Sequence, residues 1–202
     1  GQLENQIVQG STIRSDLLIT GTKVYSDASW QKKNIPERGY SPATGIGIYI
    51  DQPGDQHHKN IMIQASADDT HSPLVAEALT LQLAAKVARV LQLQRVSFLT
   101  DNLSLAKMAA SRNLSSNNTP WRCQTPISSF LRDTHPQHHV VYHIHRNING
   151  IAHNAAHQVL NSRLEPVIGC THPARSNSPC HTMLQIQNLQ IEGFVIHDVL
   201  CI

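Results

Sequence analysis

The chain has 202 residues, of which 40% are hydrophobic and 15% charged, with a formal net charge of +2. That balance excludes an intrinsically disordered segment, which needs low hydrophobicity and high net charge, and it makes no charge-based case for nucleic acid. The length suits one domain with a real core. No apolar run approaches the roughly 20 residues of a membrane span, and residues 1–20 lack the layout of a secretory signal.

Thirteen histidines make the charge depend on pH between about 5 and 7. The chain begins at Gly1, not Met, and reads as a fragment or processed product of an intracellular protein, nuclear or cytoplasmic. Residues 1–22 show no clear period and read as linker or an upstream remnant. A first strand is expected at Lys23–Asp27, ending in an acid. Residues 31–44 carry Pro36, Gly39 and Pro42 and read as a loop. A second strand, Gly45–Ile50, and a third, His58–Ala65, flank the turn Asp51-Gln52-Pro53-Gly54-Asp55. Short connections between three strands favour an antiparallel meander.

The stretch from Ser72 to Asn102 organises the rest of the chain. Ser72 suits a cap and Pro73 the first helical position, while Leu74, Leu81, Ala84, Ala88 and Leu91 recur at helical spacing. Gln82, Lys86 and Arg89 fall on the solvated side. Glu77 lies on the apolar stripe, where a carboxylate is costly unless compensated. The strand Arg95–Thr100 then delivers Asp101 to the carboxyl edge of the sheet, and its helical crossover makes it a parallel strand. Two inward acids on one such unit point to a metal site. Leu103–Ala110 reads as a short helix, 111–125 as a loop, Pro126–Arg132 as another helical segment, Val140–Ile144 as a fifth strand and Ile151–Leu160 as a closing helix.

The expected fold class is therefore α/β: a mixed five-stranded sheet, three antiparallel strands and then parallel additions, flanked by helices. It covers residues 23–161, and residues 162–202 form a largely irregular C-terminal tail. Leu184–Ile202 is apolar enough to add a strand or short helix. Without a secretory signal, Cys123, Cys170, Cys180 and Cys201 are expected as free thiols. Cys170, His172, Cys180 and His181 match no common zinc spacing, so ordinary polar tail is the favoured reading there.

Four segments then stand in order: Tyr25-Ser26-Asp27-Ala28-Ser29-Trp30, Ala76-Glu77-Ala78, Leu99-Thr100-Asp101-Asn102, and His143-x-x-Arg146-x-x-Asn149-x-x-Ala152-His153. Together they resemble the type 1 ribonuclease H domain, in the plant form attached to non-LTR retrotransposon reverse transcriptases. The resemblance implies the ribonuclease H fold, and cleavage of the RNA strand of RNA–DNA hybrids by two ions of Mg²⁺ or Mn²⁺. By position, Asp27, Glu77 and Asp101 match the first three acids of the family, and His153 stands where the fourth is usual. Imidazole suits Mn²⁺ or Zn²⁺ better than Mg²⁺. His143 matches a mobile histidine that assists turnover, and Ser72 a small hydroxyl residue near a substrate phosphate. Asn102, Arg146, Trp121 and Arg122 are further candidates for contacting nucleic acid, Trp121 by stacking.

Each residue has a plainer reading too. Asp101 also suits a helix cap, Glu77 an exposed place at a frayed helix start, and His153 an ordinary helix residue. Arg146 and Asn149 suit the turn before the last helix, and Trp121 a packed position. A rival function is a weak or inactive nucleic-acid-binding remnant of the same fold. No Tyr-x-Asp-Asp segment is present, so no polymerase is read here. The chain is expected to be a monomer, once fused to a reverse transcriptase, with no membrane association.

Overall fold

A computed structural model describes residues 12–32, 42–54, 59–68, 70–115, 119–161, 168–170 and 181–201. Strands β1 (Thr22–Trp30), β2 (Thr44–Gln52) and β3 (Lys59–Ala67) form the expected antiparallel meander. Helix α1 (Pro73–Val90) crosses over to β4 (Val96–Thr100), which pairs in parallel with β1. Helices α2 (Leu103–Ser111) and α3 (Trp121–Asp133) precede β5 (His139–His143), which is parallel to β4, and α4 (Gly150–Asn161) comes after it. This is the mixed sheet read from the sequence. None of the described helices is long and apolar enough to cross a membrane.

Strand alternation sorts the two faces. On one face Val24, Ile46, Ile48, Ile50, Ile61 and Ile63 pack under α1, and Phe98 meets Phe130 of α3 edge-on at 5.2 Å between ring centroids. On the other face α4 lies directly on β2. A Cβ on Gly45 would come within 2.2 Å of the Ala156 carbonyl oxygen, and one on Gly47 within 2.0 Å of the Ala152 oxygen. Any larger residue would push α4 off the sheet.

Four expectations are corrected. Strand β1 runs on past Asp27 to Trp30, so that acid sits inside a strand, paired across to Gly47. Helix α3 begins at Trp121, well before Pro126. Cys123, Ile127 and Phe130 are buried at helical spacing, and their packing outweighs the one N–H that the interior proline lacks. Residues 12–22 are not free linker: Ile13 and Ile19 are buried with Tyr25, Leu99 and Tyr142, and Ile13 bridges to Ile144.

The fourth correction concerns the tail. It adds α5 (His181–Gln187) and β7 (Phe194–Cys201), with β6 (Ile168–Cys170) beyond, giving the order β5-β4-β1-β2-β3-β7-β6. Strand β7 pairs with β3, whose main-chain groups would otherwise form an open edge. Met183, Ile186 and Val199 join the main core. The suggested zinc-ligating side chains of Cys170, His172 and Cys180 lie outside the described residues.

Candidate metal centre

The site lies where β1 outruns β4. Their pairing ends at Tyr25 and Leu99, so the β1 edge from Ser26 onward has no ladder partner on that side. Side chains take the ladder's place. Asn149, 1% exposed, donates from Nδ2 to the Ser26 carbonyl at 3.0 Å, and Glu77 accepts from the Ala28 N–H.

Asp27 is only 3% exposed, on the face covered by α4. Glu77 is the fifth residue of α1, whose start is set by Pro73 and by Ser72, the hydroxyl of which accepts from Val75 N–H at 3.3 Å. Asp101 directly follows β4, and Asn102, not Asp101, caps α2 by accepting from Leu105 N–H at 2.9 Å. Carboxylate oxygens of Asp27, Glu77 and Asp101 all lie within 4.8 Å of one another. Among the described residues no other group of three ligating side chains converges in this way.

The electrostatics are those of carboxylates crowded together. Burial, then the charge of Asp27 and a hydrogen bond with it, then the charge of Asp101, push Glu77 well above the usual carboxylate range, against the Ala28 N–H. Glu77 as a whole is half-buried, yet its Oε2 is out of reach of solvent and has no hydrogen-bond partner among the described residues. Asp101 is raised by burial and then by Asp27, while a hydrogen bond from Asn149 and the nearby Arg146 and His153 oppose the shift. Three carboxylates, one of them with an orphaned buried oxygen, fit a divalent cation such as Mg²⁺ or Mn²⁺.

His153 stands behind the cluster, not within it. Its Nδ1 lies 2.7 Å from Asp27 Oδ2, and its ring packs edge-on to His157 at 4.3 Å between centroids. The group that converges is the three acids, with the imidazole hydrogen-bonded to one of them. His143 is 9% exposed, with both ring nitrogens engaged, one by Thr12 and one by the Asp101 carbonyl. It ends β5 and is held against the turn that carries Asp101.

Arg146 is exposed, close enough to act on Asp101 electrostatically. Trp121 is not packed: it is 73% exposed, with the Arg122 guanidinium 4.8 Å above its ring centroid. Asn149 belongs to the fourth motif segment, yet in sequence it reads only as a turn former. Its spacing, four residues before His153 on one helical face, is the signal that points inward. Nothing in the sequence marks Thr12.

No family model matches the chain, and no curated protein does. Solved structures do. The protease–reverse transcriptase of prototype foamy virus is 20% identical over 70% of this chain and 21% of its own, with a TM-score of 0.50. RNase H1 of the halophilic archaeon Halobacterium salinarum is 14% identical, covering 70% of this chain and 98% of its own, at 0.50. An N-terminal RNase H domain from Mycobacterium tuberculosis, fused to maltose-binding protein, is 14% identical over 70% and 99%, at 0.51. The chain thus spans about a fifth of the viral protein and nearly all of the two cellular ones. At these identities the likeness is one of fold, and the fold is that of ribonuclease H.

Proposed function

We propose that this chain is a metal-dependent endoribonuclease that hydrolyses the RNA strand of RNA–DNA hybrids. The observation that carries the reading is the convergence of Asp27, Glu77 and Asp101 from three elements, with Glu77 Oε2 buried and unpartnered. Divalent cations held there, two in the reading proposed, would supply an activated water and a stabilised leaving oxygen at a phosphodiester. The chain's own part is to hold them. Asp27, Glu77 and Asp101 provide the oxygens, His153 orients Asp27 through Oδ2, and Asn149 orients Asp101. Both orienting groups ride on or beside α4, whose seat on Gly45 and Gly47 sets their distance from β1.

Arg146, beside the acids and exposed, is placed to meet a strand phosphate. Asn102 caps the helix that follows Asp101 and Ser72 the helix that carries Glu77, so each contacts a strand only at the rim of the site. Trp121 and Arg122 offer an exposed cation-topped ring on which a base can stack. A retroelement origin in the plant non-LTR form rests on the four motif segments. A former fusion to a reverse transcriptase is in keeping with the foamy-virus protein.

The test is cleavage of a hybrid carrying labelled RNA by the purified chain, with Mg²⁺ and with Mn²⁺. The expected result is metal-dependent cutting of the RNA strand alone, lost in Asp27→Asn. The rival, a binding remnant, is favoured by the imidazole in place of a fourth acid. It predicts that the parent binds the hybrid and leaves it uncut in either metal.

A further inference from the structure

Thr12 belongs to none of the segments that define the site, yet it reaches the site through one side chain. Thr12 Oγ1 lies 2.8 Å from His143 Nδ1, and His143 Nε2 lies 3.1 Å from the main-chain oxygen of Asp101. A carbonyl oxygen only accepts, so Nε2 carries the proton and donates to it. In the neutral ring Nδ1 is then a lone pair, and the Thr12 hydroxyl donates to it.

The backbone fixes the same place. Ile13 N–H donates to the His143 carbonyl at 3.0 Å, His145 N–H donates to the Ile13 carbonyl at 2.7 Å, and Ile144 N–H donates to the Thr100 carbonyl at 2.9 Å. Ile13 is buried against Tyr142 and Ile144. Residues 12 and 13 are therefore a rung laid along the end of β5, next to the turn that carries an acid.

That turn needs such support. The β4–β5 ladder ends at Thr100 paired with His143, so Asp101 lies one residue past the last sheet pair. Its carbonyl is met by an imidazole, where a strand residue would be met by an N–H of the next strand. Without a hydroxyl at position 12, the buried Nδ1 loses its donor. The ring regains a donor for Nδ1 only by turning toward water, where its two tautomers interconvert, and that turn gives up the Asp101 bond.

We infer that Thr12 is a positioning residue of the metal centre: through His143 it fixes the main chain at Asp101 and thereby presents the Asp101 carboxylate. The inference rests on the reading of the three acids as a divalent-cation site. It makes the fitness of the site depend on a segment that enters from upstream of the domain.

The experiment compares the full chain with Thr12→Val and Thr12→Ser. Mn²⁺ affinity is read by titration calorimetry, with Asp27→Asn as the control for binding at the acids, and the His143 tautomer is read from its ring nitrogen shifts. Thr12→Val is expected to weaken Mn²⁺ binding by about three- to tenfold, the scale of one net hydrogen bond acting behind a ligand, and to lose the single Nε2–H tautomer. Thr12→Ser restores both. Parent-like Mn²⁺ affinity in a folded Thr12→Val chain overturns the inference and leaves the metal centre standing. Weaker binding in both variants also overturns it, because the hydroxyl would then not be the active feature. A parent whose Mn²⁺ binding does not differ from Asp27→Asn overturns the metal-centre reading, and this inference with it.

Discussion

Replacing Gly47 with alanine puts a methyl carbon 2.0 Å from the Ala152 carbonyl oxygen and 2.8 Å from the Ala156 nitrogen, both backbone atoms of α4. Ordinary contact begins at 3.4 Å, so α4 must retreat by about 1.4 Å (3.4 − 2.0) or the β2 backbone must bend by as much. Neither atom can rotate away, as the end of a flexible side chain could. Overpacking of this kind costs about 1–3 kcal/mol, which for a chain of this size lowers Tm by about 2–12 °C. The chemical effect is larger than the structural one. His153 rides on α4 with its Nδ1 2.7 Å from Asp27, and a retreat of that size takes the pair to about 4 Å, beyond hydrogen bonding. Asn149, at the foot of the same helix, is displaced from Ser26 and Asp101 as well. Misplacement by about 1 Å at a reacting centre is worth about a hundredfold in rate. Urea unfolding and hybrid cleavage, measured side by side on Gly47→Ala and parent, check both halves. A variant as stable and as active as the parent would refute the account of α4 as the element that sets the site.

Asp27→Asn is expected to abolish metal-dependent cleavage, while its metal-free Tm holds or rises, because one of three clustered charges is gone; circular dichroism melts and gel assays check this together. Glu77 has a raised carboxyl in the folded state, so its contribution to stability is complete below the unfolded value near 4.3 and is lost as pH rises through the folded one. Metal-free Glu77→Gln is therefore expected to gain in Tm over the parent from about pH 4 upward until Glu77 is ionised in the folded parent, and a difference that does not change with pH would contradict the assignment. Mn²⁺ affinity is expected to increase over the same range, since the cation displaces a proton from Glu77. Deleting residues 181–202 uncovers the β3 edge and removes Met183, Ile186 and Val199 from the core, so the truncated chain is expected to aggregate or unfold; a soluble truncation with the parent's melting curve would show that β7 is dispensable.

The sequence by itself determined the order of elements from β1 to α4 and placed three acids on them, because both are local signals. Period-2 runs of isoleucine in β2 and β3 allow no other buried structure, and the cap and stripe of α1 fix which way Glu77 points, to within the reach of its side chain. The crossover from β3 to β4 forces β4 to lie parallel, which brings Asp101 beside Asp27. What only the tertiary structure decided are the contacts across long stretches of chain. Thr12 and His143 are 131 residues apart, and Asp27 and His153 are 126 apart. The pairing of β7 with β3 joins two strands separated by most of the chain. No periodicity encodes such partners, since each depends on where two faces finish after packing. Thus His153 reads in sequence as a fourth ligand, and only the structure shows its ring nitrogen against the carboxylate of Asp27. The place of α4 on Gly45 and Gly47 makes that contact, because the glycines let the helix sink until the imidazole meets the carboxylate of Asp27.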